Sequence, residues 1–222
     1  MNSNYKVTKF RSNNSKEVND QISIEEPLQI ILKYKDKENW IENTISITMR
    51  TPGDDENLVT GFLFNERVIE KISHIENIEA SGDPVGQYKL QNKVIITINN
   101  SENIDIDKIK RNFLTNSSCG VCGKTSLESL EIIKKDKILR SIPKIHHEII
   151  MKSPNILRQN QSEFSKTGGI HASGLFNTSG KIIALKEDVG RHNALDKLIG
   201  FVLKENLLDN SSQFLTCSGR LN

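Results

Sequence analysis

Apolar and polar positions change rhythm along the chain, and the rhythm predicts most of its elements. Between Ile22 and Asn99 the apolar residues come in short runs. LQIILKY and NTISITM are rich in β-branched residues, and Ile45, Ile47 and Met49 alternate, which predicts strands with one buried face. TPGDDENLVTGFLFNERVI reads as a turn, then a helix whose first turn holds Asp54, Asp55 and Glu56. Carboxylates suit that end because the helix N-terminus is positive. YKLQNKVIITI reads as a hairpin with Gln91 and Asn92 near its turn. IDIDKIKRNFL, SLESLEII and SPNILRQNQSEF read as helices. Pro154 is expected in the first turn of the last, where its missing N–H costs nothing.

The second half has a clearer order. GIHASGLFNTSGKIIALKED predicts two strands joined by a hairpin loop at Asn177 to Gly180. VGRHNALDKLIGFVLKENL carries Leu195, Leu198, Ile199, Val202 and Leu203 at i, i+3, i+4, i+7 and i+8, the stripe of an amphipathic helix. QFLTC follows as another strand. The fold class is therefore α/β (α+β), with a helix laid over a sheet. Residues 1–20, rich in Asn, Ser and Lys, are expected to be a loosely attached arm. A β-rich N-terminal domain at 21–115, a mobile cysteine loop at 116–125 and a larger C-terminal domain at 126–222 complete the layout.

Composition changes this picture little. The chain has 222 residues, 36% hydrophobic and 26% charged, with a net charge of +2. That is enough for a sizeable core, and no global field favours nucleic acid or an anionic membrane. No run is long enough to span a bilayer, and the opening residues do not read as a secretory signal. Three cysteines, an odd number, in a chain this size favour free thiols in a reducing cytoplasm.

Two of them, Cys119 and Cys122, lie in NSSCGVCGKTS, each followed by glycine. A structural zinc site needs four ligands, and the loop offers two. His146, His147 and His171 could add ligands but show no ligand spacing. A redox pair at this spacing normally opens a helix, whereas polar residues and glycines surround this one. A mobile thiolate, helped by Lys124, also suits sulfur carriage, since persulfide exchange uses the chemistry of disulfide exchange. Two ordinary surface thiols are the plain alternative.

Three small motifs mark the second half. TGGIH, from Thr167 to His171, places Gly168 and Gly169 where backbone N–H groups can approach an anion. EDVGRHNALDK puts Arg191, His192 and Asn193 on a first helical turn, a place suited to phosphate. Asp188 and Asn193 have hydrogen-bonding geometry fit for the edge of a base or pterin. CSGR sets Ser218, Gly219 and Arg220 after a strand. Each motif also reads as a plain turn or helix start. Together they fall at strand ends, where α/β sheets gather ligands. Strand–strand–helix–strand with His192 at the helix start is similar to the zinc nucleobase deaminases. Their catalytic Glu is absent here, and Arg220 stands where a cysteine ligand would be. The outline implies a nucleotide crevice without hydrolytic deamination.

SSCGVCGK, TGGIHASGLF, EDVGRHNALDKLIG and TPGDDENLVTGFLFNE together resemble the FdhD family, the formate dehydrogenase accessory sulfurtransferases. The resemblance runs from about residue 22 to the C-terminus. It implies a sulfurtransferase that takes sulfur from a cysteine desulfurase as a persulfide on Cys119, with Cys122 assisting. It implies delivery to the molybdenum bis-guanine-dinucleotide cofactor destined for formate dehydrogenase, with GDP-like nucleotides as partial mimics. A mixed-sheet C-terminal domain similar to the cytidine deaminase fold would hold the nucleotide at Thr167, Gly168, Gly169, His171, Asp188, Arg191, His192, Asn193, Ser218, Gly219 and Arg220. A homodimer is also implied. Family sequences continue past the SGR motif, so the C-terminal domain is expected to be truncated and the last part of the cofactor site to be missing from it. A cofactor-holding chaperone without sulfur chemistry is the alternative, with a zinc protein behind it.

Overall fold

The computed structural model describes residues 2–11, 14–86, 88–99, 143–209 and 211–219. Cys119, Cys122 and Arg220 lie outside these residues, as do the helices expected at IDIDKIKRNFL and SLESLEII.

The opening residues correct the expectation of a loose arm. β1 (Asn2–Arg11) and β2 (Asn14–Ser23) pair antiparallel, with Val7 opposite Val18. Lys9 meets Asp20 across them at 2.9 Å. Their polar composition signalled disorder, but ladder hydrogen bonds use backbone groups that every such residue carries. The hairpin also reaches the C-terminal half: Ser23 Oγ donates to Thr167 Oγ1 at 2.8 Å, and Asn2 Nδ2 to Glu163 at 3.0 Å.

A four-stranded sheet follows, built from β3 (Glu26–Asp36), β4 (Asn39–Arg50), β5 (Ile75–Ser81) and β6 (Lys93–Ile98) in the order β4-β3-β6-β5. It is mixed, since β3 and β6 run parallel and the other pairs antiparallel. Strict alternation buries Leu28, Ile30, Leu32 and Tyr34 on one face of β3. Helix α1 (Asp55–Asn65) adds Leu58, Val59 and Leu63 to that core. Ahead of β6, Val85 pairs antiparallel with Leu90. Gln91 and Asn92 follow that bridge directly and lead into β6.

The expected burial of Ile45, Ile47 and Met49 on one face fails after the first of them. Ile30 faces Ser46 but Ile31 faces Thr44, so Ile45 is the extra residue of a β-bulge. One added residue turns every later side chain over. Ile47 and Met49 are left exposed, while Thr48 and Arg50 turn inward. Arg50, 1% exposed, forks onto both carboxylate oxygens of Asp55 at 2.9 Å and donates to Glu26 O at 3.2 Å.

In the second half, α2 (His147–Gln159) carries Pro154 well inside it, not in a first turn. A proline there leaves the carbonyl four residues back without its donor. Ser153 Oγ donates to that carbonyl, Ile150 O, at 2.9 Å. A break at Asn160 and Gln161 separates α2 from the short α3 (Ser162–Thr167), so SPNILRQNQSEF is two helices. β7 (His171–Asn177), β8 (Ile182–Asp188) and β9 (Gln213–Cys217) then form a sheet in the order β8-β7-β9. Both pairings are antiparallel, so among the described residues the mixed sheet is the N-terminal one.

Helix α4 (Arg191–Lys204) covers this sheet through Leu198 and Val202, which pack with Leu175 and Ala184. Leu195, Ile199 and Leu203 are only half-buried, because the opposite side of α4 lies against α1. There the two backbones nearly touch. A Cβ on Gly200 would stand 1.9 Å from Asn57 O, and one on Gly61 1.9 Å from Asp196 O. The layers run N-terminal sheet, α1, α4, C-terminal sheet. Among the described residues no helix is long and apolar enough to cross a membrane.

Candidate functional site

The motif EDVGRHN sits where β8 ends and α4 begins, with Gly190 as N-cap. Asp188 is fully buried there. Its Oδ1 accepts from Gly190 N at 2.8 Å and Asn193 Nδ2 at 3.2 Å, and its Oδ2 from Thr51 N at 3.0 Å. Lys197, 3% exposed, completes an ion pair at 2.7 Å and donates to Thr51 O at 2.7 Å. Asn193 Nδ2 also donates to Met49 O at 2.7 Å, and its Oδ1 accepts from Thr48 at 3.2 Å. Asp188 and Asn193 thus spend their polar atoms inside the protein, which corrects the expectation that they read a ligand edge. Together with Lys197 they lock the start of α4 to the end of β4. Lys197 was missed in the sequence, although a lysine between Ala194 and Leu198 on a buried stripe was its signal.

Next to this junction, and touching it through Val189, lies a cleft of ≈470 Å³. Gly168, Gly169, His171 and Ser218 line it, gathered from TGGIH and CSGR. Gly168 ends α3 at φ +69°, where glycine carries no steric penalty, and Cβ atoms at Gly168 and Gly169 would meet nothing within 4 Å. Ser218 Oγ accepts from Ala172 N at 2.8 Å and lies 3.2 Å from His171 Nδ1. A Cβ on Gly219 would stand 3.3 Å from the His171 ring and 3.5 Å from Arg191 Cδ, so Arg191 borders the same corner. His192 follows on the first turn of α4. Partial burial, then the Arg191 charge, lowers its pKa and keeps the ring neutral at pH 7.

Thr167 does not line the cleft; its hydroxyl joins Ser23 and donates to Glu163 O at 2.9 Å. Three lining residues were not found in the sequence: Arg158, Gln161 and Phe164, spaced every third residue across the α2–α3 break. Glu187 fixes that break by accepting from Glu163 N at 3.0 Å and Phe164 N at 2.9 Å. A carboxylate at the helix start is favourable there. Among the described residues, the one donor cluster sized for a metal is His146, His147 and Glu148, all exposed, with ligand atoms within 4.8 Å. It lies at the positive start of α2, an unfavourable place for a cation.

The family model described as FdhD/NarQ matches residues 23–222. The chain belongs to the FdhD/NarQ family. Among curated proteins, it is 43% identical over 204 residues to the sulfur carrier protein FdhD of Picrophilus torridus, covering 91% of this chain and 71% of that protein. It is 38% identical over 216 residues to the sulfur carrier protein FdhD of Sulfurisphaera tokodaii, covering 97% and 76%. A crystal structure described as a formate dehydrogenase accessory protein from Desulfotalea psychrophila superposes with a TM-score of 0.61. It shares 22% identity and covers 99% of this chain and 76% of that one. At that identity the likeness is one of fold. Both the cleft and the buried junction lie within the segment matched to FdhD/NarQ.

Proposed function

We propose that this FdhD/NarQ protein is a sulfur carrier that accepts sulfur on Cys119 and delivers it to the molybdenum bis-guanine-dinucleotide cofactor for formate dehydrogenase. The observation that supports this reading best is the gathering of Gly168, Gly169, His171 and Ser218 from separate stretches into one cleft, with Arg191 at its corner. The names of the relatives point the same way.

In the first step the Cys119 thiolate attacks the outer sulfur of a desulfurase persulfide. The old S–S bond breaks, the donor leaves as a thiolate, and Cys119 carries the persulfide. In the second, the Cys122 thiolate attacks Cys119 sulfur, a disulfide closes, and hydrosulfide leaves toward the molybdenum. The cysteine pair supplies the two electrons. The cleft holds the cargo by its guanine-nucleotide end: Arg191 and the Gly168–Gly169 turn take phosphate, and the His171 ring gives a further polar contact. The strand–strand–helix–strand order, with neutral His192 on the first helical turn, suits a nucleotide crevice.

Incubation with a cysteine desulfurase and cysteine is expected to add the mass of one sulfur atom per chain, reversible by dithiothreitol. Cys119→Ala should lose this gain, while Cys217→Ala keeps it. Undiminished loading of Cys119→Ala would remove Cys119 from its role.

A further inference from the structure

The N-terminal hairpin serves neither core and lines no part of the cleft. All of it but Ser23 precedes the segment matched to FdhD/NarQ. It is held at one end, where Asn2 and Ser23 bond to α3, and β2 is the strand that lies against that helix. The outer edge of β1 has no strand partner among the described residues. A two-stranded hairpin is marginal by itself, and an unpaired edge is a template for another chain. Alternation places Tyr5, Val7, Lys9 and Arg11 on one face of β1. Val7 faces Val18 there, and Tyr5 and Ile22 stay exposed beside them.

The charge is as one-sided as the apolar surface. Residues 2–23 hold four of the chain's 30 basic residues and two of its 28 acidic ones, so the formal excess of +2 lies wholly on the hairpin. β1 itself carries Lys6, Lys9 and Arg11 and no carboxylate. Lys9 stands directly opposite Lys16, a like-charge pair that costs stability. Asp20 answers Lys9, whereas Arg11 and Lys16 make no ion pair among the described residues. Edge lysines deter neutral strands, basic strands and a second copy of β1, which leaves an acidic strand. The cations are too few for nucleic acid, whose binders neutralise roughly 6–10 phosphates. A bilayer offers nothing to the open backbone groups of the edge. We infer that the outer edge of β1 docks an extended acidic segment of a partner protein, added antiparallel as a third strand. Backbone hydrogen bonds supply its affinity, and carboxylates opposite Lys6, Lys9 and Arg11 supply the selection.

The test is calorimetric titration of the full chain with the capped peptide ETETVEVT. Laid antiparallel, its carboxylates fall opposite Arg11, Lys9 and Lys6, and its valines opposite Val7 and Tyr5. KTKTVKVT is the basic control. The acidic peptide is expected to bind at least about tenfold tighter, with the gap narrowing as salt is raised. Hydrogen exchange should show new protection at the β1 amides that point away from β2. Lys16→Glu turns the like-charge pair with Lys9 into an opposite-charge one. Its hairpin amides should therefore be better protected, while the acidic peptide binds more weakly. A merely structural role of the cations would not move those two readouts in opposite directions. Arg11→Glu added to Lys16→Glu should abolish the preference for the acidic peptide. Equal binding or no binding of the two peptides, protection appearing away from β1, or a preference surviving in the double variant overturns the assignment. So does preferential binding to phosphatidylserine vesicles, or self-association that protects the same β1 amides without peptide.

Discussion

Lys197→Met is expected to destabilise the protein by about 3–5 kcal/mol, enough to unfold many domains at room temperature. Asp188 is fully buried and Lys197 is 3% exposed, with 2.7 Å between their charged atoms. Removing the ammonium leaves a carboxylate in the interior. Its remaining donors, Thr51 N, Gly190 N and Asn193 Nδ2, hold it by dipoles alone. Thr51 O also loses its donor. Water cannot easily replace the cation at a site covered by β4, β8 and α4. Urea unfolding of Lys197→Met, Asp188→Asn and the double variant measures the coupling, and the double should cost less than the sum of the singles. A loss below about 1 kcal/mol for Lys197→Met would place it among ordinary surface changes and contradict a buried pair.

The second large effect is expected at Gly200. In an exposed helix, Gly→Ala gains roughly 1 kcal/mol through lower backbone entropy. Here the new Cβ would stand 1.9 Å from Asn57 O and 2.9 Å from Gly61 N, both backbone atoms of α1. Backbone cannot turn aside as a flexible side chain can, so the helices must part, and the core contacts of both loosen. Overpacking of this kind is expected to cost about 3 kcal/mol after the propensity gain. Gly61→Ala, facing Asp196 backbone, should behave alike. Lys204→Ala, on the exposed end of the same helix, should stay within about 0.5 kcal/mol. A stabilised Gly200→Ala would mean that α1 and α4 do not cross at this distance.

Local patterning was enough to read β3, α1, β7, β8, α4 and β9 in the sequence, because each has a strong period or a marked end. It failed where a distant partner decides the outcome. The Ile45 bulge depends on how β4 docks on β3, and that one residue turned Ile47 and Met49 outward. The N-terminal hairpin was hidden by a composition that buries little. Pro154 fits mid-helix because Ser153 serves the carbonyl that proline abandons. At the site, the glycines, His171 and Ser218 were legible because turns and strand ends announce themselves. Asp188 and Asn193 were read as ligand contacts because their partners, Thr51 and Lys197, are remote or disguised as helix surface. Arg158, Gln161 and Phe164 carry no motif; only the break between α2 and α3 brings them to one wall.

These observations join into one mechanical picture. The Asp188–Lys197 junction and the α1–α4 crossing hold the start of α4 rigid, so Arg191 and His192 present a fixed corner. The cleft lies beside that corner, and under the proposed function it holds the nucleotide end of the cargo while Cys119 delivers sulfur. The most direct measurement loads the chain with sulfur, removes the donor, and adds the molybdenum bis-guanine-dinucleotide cofactor. Intact mass is then followed over time. The account predicts loss of the added sulfur, slowed by excess GDP and by Arg191→Ala in a chain that loads normally. Discharge at an unchanged rate under both conditions would contradict it, since delivery would then not pass through the cleft.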